Sequence, residues 1–259
     1  MNDSLDAQLN EIKKLISIVW ELREKCPWDR NQTFETLKTL TIEETYELCE
    51  EIEKSNFDGI KEELGDLLLH ILFYSKMGSE KNKFNIGLIA KELTKKLIRR
   101  HPHIYSNVKI KSTTEVISNW EKIKLKEGRG SVLDGVPKNL PPLMKAKRIQ
   151  DKVSSVGFDW KKSEHVLEKL DEEIIEFKEE LDKKNKSNLE IEFGDILFSL
   201  INLARHYEIN PYNALEKSNT KFIKRFKFVE QKIKELKKEI ASIELKEIDL
   251  LWEQSKSHT

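Results

Sequence analysis

The sequence contains few of the residues that interrupt helices, with 9 glycines and 6 prolines among 259 residues. Charged residues account for 36% of the chain and apolar residues for 38%. This composition is typical of a helical protein with a highly charged surface, and the alternating patterns that mark strands are scarce. We therefore predict an all-α protein, and the chain is long enough for one large domain or two smaller ones.

Cysteine is also scarce, since Cys26 and Cys49 are the two that the chain contains. Two isolated thiols without Cys-x-x-Cys spacing argue against a disulfide framework and against a zinc site. No apolar run is long enough to span a bilayer, and the opening stretch MNDSLDAQLNEIKKLISIVW lacks the apolar core of a secretory signal. These absences predict a cytoplasmic protein with no membrane partner.

The chain has no excess of charge of either sign, because 46 acidic residues balance 46 basic ones. Without a global positive field, binding to nucleic acid is not expected. Any functional charge must therefore be local, and the sequence has to be searched for clusters.

One acidic pattern occurs twice in the sequence. The stretch TIEETYELCEEIEK has its counterpart 129 residues further along, in DEEIIEFKEELDKK, and a Glu-x-x-Asp pair follows each stretch. The matched acids are Glu43, Glu44, Glu47, Glu50, Glu51, Glu63 and Asp66 in the first copy and Glu172, Glu173, Glu176, Glu179, Glu180, Glu192 and Asp195 in the second. A solvated surface alone gives no reason for acids to keep this register.

Each acidic stretch is followed by a short polar turn and then by an apolar segment with helical periodicity. Such short connections predict two antiparallel helical hairpins. The apolar residues at helical intervals predict a buried stripe on the second helix of each hairpin. They are Ile60, Leu64, Leu67, Leu68 and Ile71 in the first copy and Ile196, Leu197, Leu200 and Ile201 in the second.

The repeat also predicts the domain organisation. We expect a first helical module at residues 1–106 and a second one at residues 143–259. The intervening residues 107–142 collect glycine and proline, as in EGRGSVLDGVPKNLPP, which is typical of a connector. A helix near residues 115–126 is predicted within this connector.

The spacing of the acids predicts a metal site in each hairpin. Residues three apart share a helix face, so Glu-x-x-Glu on one helix and Glu-x-x-Asp on its partner bring four carboxylates together. Two carboxylates about 5 Å apart repel by roughly 3 kcal/mol at an effective dielectric of about 20. Four together would have strongly raised pKa values unless a cation intervenes. All-oxygen ligation favours Mg²⁺, or Mn²⁺, over zinc. The alternative is that the acids pair with lysines on exposed helices.

A metal held by carboxylates usually completes its shell with water and substrate phosphates, which need basic residues nearby. The segment NTKFIKRF in the second half supplies Asn219, Lys221 and Arg225. The corresponding segment of the first half, LTKKLIRRHPH, has Thr94, Lys96, Arg99 and Arg100. A solvated basic helix face is the alternative interpretation of both segments.

Together these motifs resemble the MazG family of nucleoside triphosphate pyrophosphohydrolases. The resemblance rests on Glu-Glu-x-x-Glu, Glu-x-x-Asp and Asn-x-Lys-Phe-x-x-Arg-Phe, with CPWD, RRHPHIY and SVLDGVPKNLPPLMKAKRIQDKVSSVGFDW, and it covers nearly the whole chain. It implies two tandem all-α modules assembled as a homodimer. It also implies Mg²⁺-dependent hydrolysis of a nucleoside triphosphate to the monophosphate and pyrophosphate.

The resemblance assigns roles to matching residues of the second half. The implied metal ligands are Glu173, Glu176, Glu192 and Asp195. The triphosphate would be bound by Asn219, Lys221 and Arg225, with help from Lys169. Glu172 is a candidate base or a residue that orients a ligand, and Trp252 either lies near the nucleotide or closes the last helix as a core aromatic.

The second module is usually the catalytic one in this family, and here the second half alone has the complete asparagine–lysine–arginine set. The first half keeps its acids, so a second metal site is predicted at Glu44, Glu47, Glu63 and Asp66. Ile191 stands where the first copy has Glu62, which leaves fewer acids beside Glu192. The alternative function is a regulatory sensor that binds nucleotide and metal without turnover. A helical scaffold for partner proteins would explain the charge but not the register.

Overall fold

The computed structural model describes residues 4–106, 108–109, 112–128, 130–240 and 243–258. None of these residues lies in a strand, so the all-α prediction is confirmed. The chain divides into two compact units, residues 1–109 and 110–259. The predicted limits of the modules and of the connector stay predictions, and residue 107, where the connector was placed to begin, lies outside the described residues. No helix in the described ranges is long and apolar enough to cross a membrane.

The first unit is built around a hairpin of two long helices. Its helices are α1 (Leu5–Lys25), α2 (Pro27–Arg30), α3 (Phe34–Glu53), α4 (Phe57–Glu80), α5 (Ile86–Arg100) and α6 (Pro102–Tyr105). Thr33 begins α3 with a capping box, in which its hydroxyl accepts from the Thr36 amide and the Thr36 hydroxyl accepts from the Thr33 amide. The buried core joins α1, α3 and α4 through Val19, Leu37, Leu72, Phe73 and Met77.

The second unit repeats this plan with additional helices at both ends. It contains α7 (Thr113–Lys126), α8 (Pro142–Ser154), α9 (Ser163–Lys183), α10 (Lys186–His206), α11 (Pro211–Glu235) and α12 (Leu245–Ser255), followed by a 3₁₀ turn at Lys256–His258. The helix predicted near residues 115–126 is confirmed as α7. The buried apolar residues come from α9, α10 and α11 and are Val166, Leu170, Ile201, Val229 and Ile233.

The two hairpins keep the register of the sequence repeat. The helix α9 begins 129 residues after α3, and α10 begins 129 residues after α4. The matched turn residues Ser55 and Lys184 both adopt the left-handed conformation, with φ of 55° and 54°. An asparagine follows each of them at the N-cap of the next helix, Asn56 in one copy and Asn185 in the other. The predicted antiparallel hairpins are therefore confirmed, and the two copies also share the conformation of the turn.

Two of the repeated acids in each copy form ion pairs with a lysine at the turn between the two helices of the hairpin. Lys54 Nζ lies 2.7 Å from a carboxylate oxygen of Glu50 and 2.7 Å from one of Glu51. In the second hairpin, Lys183 Nζ makes the matching contacts at 3.9 and 2.7 Å with Glu179 and Glu180. These ion pairs close the last turn of the first helix in each hairpin, so this part of the acidic repeat has a structural explanation.

The predicted buried stripes are only partly correct. In the first copy, Leu64 is 52% exposed and Ile71 is 47% exposed, whereas Phe73 is buried. Because each residue advances a helix by about 100°, Phe73 projects from the opposite side of α4 to Leu64, and that side contacts α1 and α3. In the second copy, Leu200 is likewise exposed and Ile201 is buried. The apolar pattern therefore includes residues on both sides of the helix.

Candidate functional site

The hairpin of the first unit brings three of the predicted ligands together. One carboxylate oxygen from each of Glu44, Glu63 and Asp66 lies within 4.8 Å of the other two. Glu44 comes from the middle of α3, and the other two come from successive turns at the start of α4. All three side chains are half-buried. The antiparallel packing thus places acids from both helices on one facing surface, as the spacing predicts.

This first cluster contains an unsatisfied polar atom. Glu63 Oε2 is buried and has no hydrogen-bond partner among the described residues. Burial, followed by the charges of Asp66 and Glu47, raises the pKa of the Glu44 carboxyl. Burial, followed by the charge of Glu47, likewise raises the pKa of Glu63. A set of oxygen donors in this condition fits a hard divalent cation, which would supply the missing positive charge.

The hairpin of the second unit forms a similar group with a different membership. Here one oxygen from each of Glu173, Glu176 and Glu192 lies within 4.8 Å of the others. Two of these acids come from α9 and one from α10. Glu173 is buried at 7% exposure, which is low for a carboxylate. Its environment therefore has to supply a positive charge.

Lys169 supplies that charge, one helical turn before Glu173. Its Nζ lies 2.9 Å from Glu173 Oε1 and 2.7 Å from Glu172 Oε1. The hydrogen bonds to both carboxylates raise the pKa of Lys169 above its ordinary value, so the ammonium stays charged. Burial, followed by the charge of Glu173, raises the pKa of Glu176. The second cluster therefore has a resident counter-ion on one carboxylate and an excess of negative charge on the others.

One predicted ligand in each copy lies outside the close group. Glu47 is exposed on α3, although its charge contributes to the raised pKa values of its neighbours. Asp195 is exposed on α10, one turn after Glu192. The two groups thus leave out different positions of the repeat, since Asp195 matches Asp66 and Glu47 matches Glu176. Sequence spacing identified the faces but not which three of the four acids converge on each.

The predicted triphosphate-binding residues lie on α11, the helix that follows α10. Lys221 is exposed and Arg225 is half-buried, while Asn219 Nδ2 donates to Glu216 Oε2 over 3.2 Å. Trp252 of α12 is half-buried, and its ring centroid lies 5.1 Å from that of Phe222. The structure therefore packs Trp252 against Phe222 of α11, the residue that follows Lys221 in the sequence.

The residues that hold the loop before each acidic helix were missed by the sequence reasoning. In the first unit, Arg23 NH1 donates to the carbonyl oxygens of Asp29, Arg30 and Gln32. In the second unit, the guanidinium of Arg205 binds the carboxylate of Asp159. Burial alone would raise the pKa of Asp159, but Arg205, together with the Ser154 hydroxyl, holds it well below the ordinary value. The segments that precede the two acidic helices carry the CPWD motif, largely within α2, and the GFDW motif. The motifs therefore marked these segments in the sequence, but not the residues that bind them.

Comparison with known proteins agrees with this arrangement. The model of the MazG nucleotide pyrophosphohydrolase domain matches the chain twice, at residues 32–105 and 161–229, and each match contains one acidic hairpin. A nucleoside triphosphate pyrophosphohydrolase of Escherichia coli K12 is 38% identical over 257 residues, which cover 96% of this chain and 98% of the relative.

A second relative is the nucleoside triphosphate pyrophosphohydrolase/pyrophosphatase MazG of Thermotoga maritima, which is 41% identical over 249 residues, or 94% of this chain and 95% of its own. The uncharacterized protein YabN of Bacillus subtilis is 43% identical over 253 residues, which cover 95% of this chain and 52% of that protein. Two matches to the family model and similarity along nearly the full length show that this chain belongs to the MazG family of nucleotide pyrophosphohydrolases.

Proposed function

We propose that this protein hydrolyses nucleoside triphosphates to nucleoside monophosphates and pyrophosphate, and that the second module carries the reaction. The observation that supports this most directly is the group formed by Glu173, Glu176 and Glu192 with Lys169 beside it. This group lies within the second segment that matches the family model, and both full-length relatives described above are named as enzymes of this activity.

The proposed cofactor is Mg²⁺, with Mn²⁺ as a substitute. Glu173, Glu176 and Glu192 would bind it, and Asp195 would join them, because its exposed position on the next turn of α10 leaves room for the side chain to turn inward. Bound there, the metal would supply positive charge against the triphosphate and against the charge that develops during hydrolysis. The donor set contains oxygen atoms alone, which suits a hard cation.

The remaining residues of the second module would bind the substrate and handle the proton. Lys221 and Arg225 are placed to bind phosphate oxygens, Arg225 through two parallel hydrogen bonds, with Asn219 donating one more. Trp252 would contact the nucleoside from α12. Glu172 would accept the proton of the attacking water, or orient Glu173 through their shared contact with Lys169.

The first module would hold a second metal site, formed by Glu44, Glu63 and Asp66 with Glu47 nearby. Its support is the buried Glu63 Oε2, which has no hydrogen-bond partner within the part of the chain that the structure describes. We assign no turnover to this module, because its sequence lacks the complete set of asparagine, lysine and arginine.

We further propose a homodimer in the cytoplasm. The large apolar side chains exposed on the hairpin helices, among them Leu64, Ile71, Leu197 and Leu200, would be covered by a second copy. Light scattering during size-exclusion chromatography tests this part directly, because a monomeric mass at micromolar concentration would contradict it.

The activity is tested by incubating the full chain with four ribonucleoside and four deoxyribonucleoside triphosphates, with Mg²⁺ or with chelator. We expect monophosphate and pyrophosphate to form only when Mg²⁺ is present and not in chelator. The Glu176→Gln variant should form neither product. Glu179→Gln, three residues along the same helix and outside the acidic group, serves as the matched control. If the protein bound nucleotide but formed no product, the proposed hydrolase activity would be wrong and the regulatory sensor would be favoured.

A further inference from the structure

The two acidic clusters differ at one position of the repeat. Lys169 occurs 129 residues after Leu40, so the second copy has a cation where the first has an apolar side chain. Leu40 packs against the buried core of the first unit. Lys169, one third exposed, instead directs its ammonium to Glu172 and Glu173. The same backbone position thus serves packing in one hairpin and charge balance in the other.

The ammonium of Lys169 forms an ion pair with the carboxylate of Glu173, which is also a proposed ligand of the metal. Glu173 Oε1, at 2.9 Å from Nζ, belongs to a residue of the three-acid group. An ammonium and a divalent cation at one carboxylate repel each other strongly in a partly buried site. The side chain of Lys169 is one third exposed and its stem is flexible, so the ammonium can relieve this repulsion by moving away from the metal.

A displaced lysine needs another anion in reach. Its long flexible stem and point charge suit a phosphate group, and a bound triphosphate would present several oxygens beside the cluster. The first cluster has no such requirement, because no lysine or arginine in the described ranges forms an ion pair with Glu44, Glu63 or Asp66, and Glu63 Oε2 is unsatisfied.

We propose that Lys169 is an exchangeable counter-ion which makes divalent-metal binding at Glu173, Glu176 and Glu192 depend on a bound triphosphate. This inference rests on the proposed function and adds a coupling between its two ligands. The first cluster, whose hairpin has Leu40 at the matching position, would in contrast bind a divalent cation equally well with or without nucleotide. By linkage, any factor by which nucleotide tightens the metal is also the factor by which metal tightens the nucleotide.

The test measures Mn²⁺ binding by isothermal titration calorimetry on the full chain carrying Glu63→Gln, so that the second cluster dominates the signal. Titrations are run with and without an α,β-methylene nucleoside triphosphate, which cannot be cleaved at that bond. We expect the analogue to tighten Mn²⁺ binding by about tenfold or more. Adding Lys169→Met should tighten nucleotide-free Mn²⁺ binding by about tenfold and reduce the coupling to less than about threefold.

Two further variants separate charge from shape. Lys169→Arg keeps the positive charge but changes the shape of the side chain. If the charge is what matters, this variant should keep the coupling between metal and nucleotide, whereas a role that depends on the shape of lysine would not require it to. Leu40→Lys, placed in a Glu192→Gln chain, should weaken nucleotide-free Mn²⁺ binding at the first cluster, with Leu40→Met as the neutral control. Circular dichroism of each variant checks that it is folded.

The outcomes distinguish this inference from the function on which it rests. Unchanged nucleotide-free affinity and unchanged coupling in Lys169→Met would overturn the counter-ion role while leaving the metal site intact. If the Glu63→Gln chain binds no Mn²⁺ even with the analogue present, the proposed metal site itself fails, and this inference fails with it.

Discussion

The two hairpins of this chain share a backbone plan and differ in what surrounds their acids. Both begin their helices in the same register, turn through a left-handed residue and converge three carboxylates. The first cluster contains a buried oxygen without a hydrogen-bond partner in the described ranges, whereas the second contains an ion pair with Lys169. A duplicated scaffold therefore preserves the acids, while neighbouring positions decide which charges balance them.

The basic residue on the helix before each hairpin also has different surroundings in the two units. On the helix before the hairpin, Arg23 of α1 and Lys152 of α8 occupy matching positions of the repeat. Arg23 binds loop carbonyls and the partly exposed Glu80. Lys152 is 1% exposed and binds Glu121 of α7 and the Val132 carbonyl. The same position thus binds loop carbonyls and a partly exposed carboxylate in one unit, and belongs to a buried ion cluster in the other.

The largest contrast should appear in activity. Glu192→Gln removes a proposed ligand from the second cluster and is expected to lower kcat/KM by about a thousandfold, since an unbalanced triphosphate charge raises the barrier. The matching Glu63→Gln in the first cluster should cost less than about tenfold. Both are measured by pyrophosphate release, with the exposed Glu190→Gln on α10 as control. Equal losses from the two substitutions would mean that both modules take part in turnover.

A large contrast is also expected in stability. Glu121 binds both Lys124 and Lys152 in a buried cluster, so Glu121→Gln would leave two buried ammonium groups without a counter-charge. We expect a loss of about 3 kcal/mol in the free energy of unfolding. Glu80→Gln, which removes the partly exposed partner of Arg23, should cost under about 1 kcal/mol. Urea denaturation of both variants makes the comparison, and similar losses would show that burial does not distinguish the two contacts.

The sequence predicted the fold better than the grouping of the acids. Helical periodicity and short polar turns located both hairpins, because these signals are local. The choice of Asp66 in one group and Glu176 in the other depends on how α3 meets α4 and α9 meets α10, which spacing alone does not contain. Part of the acidic repeat belongs to the turn and not to a cluster, since Glu51 and Glu180 pair with the turn lysines.

The predicted buried stripe failed for a related reason. Leu64 and Ile71 have the spacing of core residues, but α4 turns Phe73 and Met77 toward the core of its own unit. Periodicity identifies an apolar face, and it does not tell which of two apolar faces packs within the chain.

A smaller contrast concerns pH. The folded state of the first cluster holds a proton on Glu63 at pH values where the unfolded chain has released it, because the folded pKa lies above the ordinary 4.5. Stability therefore falls as the pH rises through that window, and the loss persists at neutral pH. Metal-free Glu63→Gln should therefore melt above the metal-free unsubstituted protein at pH 7, and the difference should shrink toward pH 4.5.

Asp159 of the second unit should respond with the opposite sign. Its folded pKa is lowered, so its contribution is present above the ordinary 3.8 and is lost as the pH falls below it. Asp159→Asn should therefore melt below the unsubstituted protein at pH 7 and approach it under acid conditions. Calorimetry in chelator at several pH values tests both variants, and a shift of the same sign in both would contradict the assigned charge environments.

The smallest effect should be the same in both copies, because it concerns the shared turn rather than the site. Glu51→Ala and Glu180→Ala each remove a carboxylate that binds the turn lysine, Lys54 or Lys183. These pairs are exposed on one side, so each variant should melt about 1–2 °C lower with hydrolysis changed less than about twofold. If Glu180→Ala abolished activity while Glu51→Ala did not, the end of the acidic repeat would belong to the catalytic site after all. Equal and small effects on melting and hydrolysis would instead divide the repeated acids into two groups. The acids at the turn stabilise both hairpins alike, whereas the clustered acids differ between the copies because their neighbours differ.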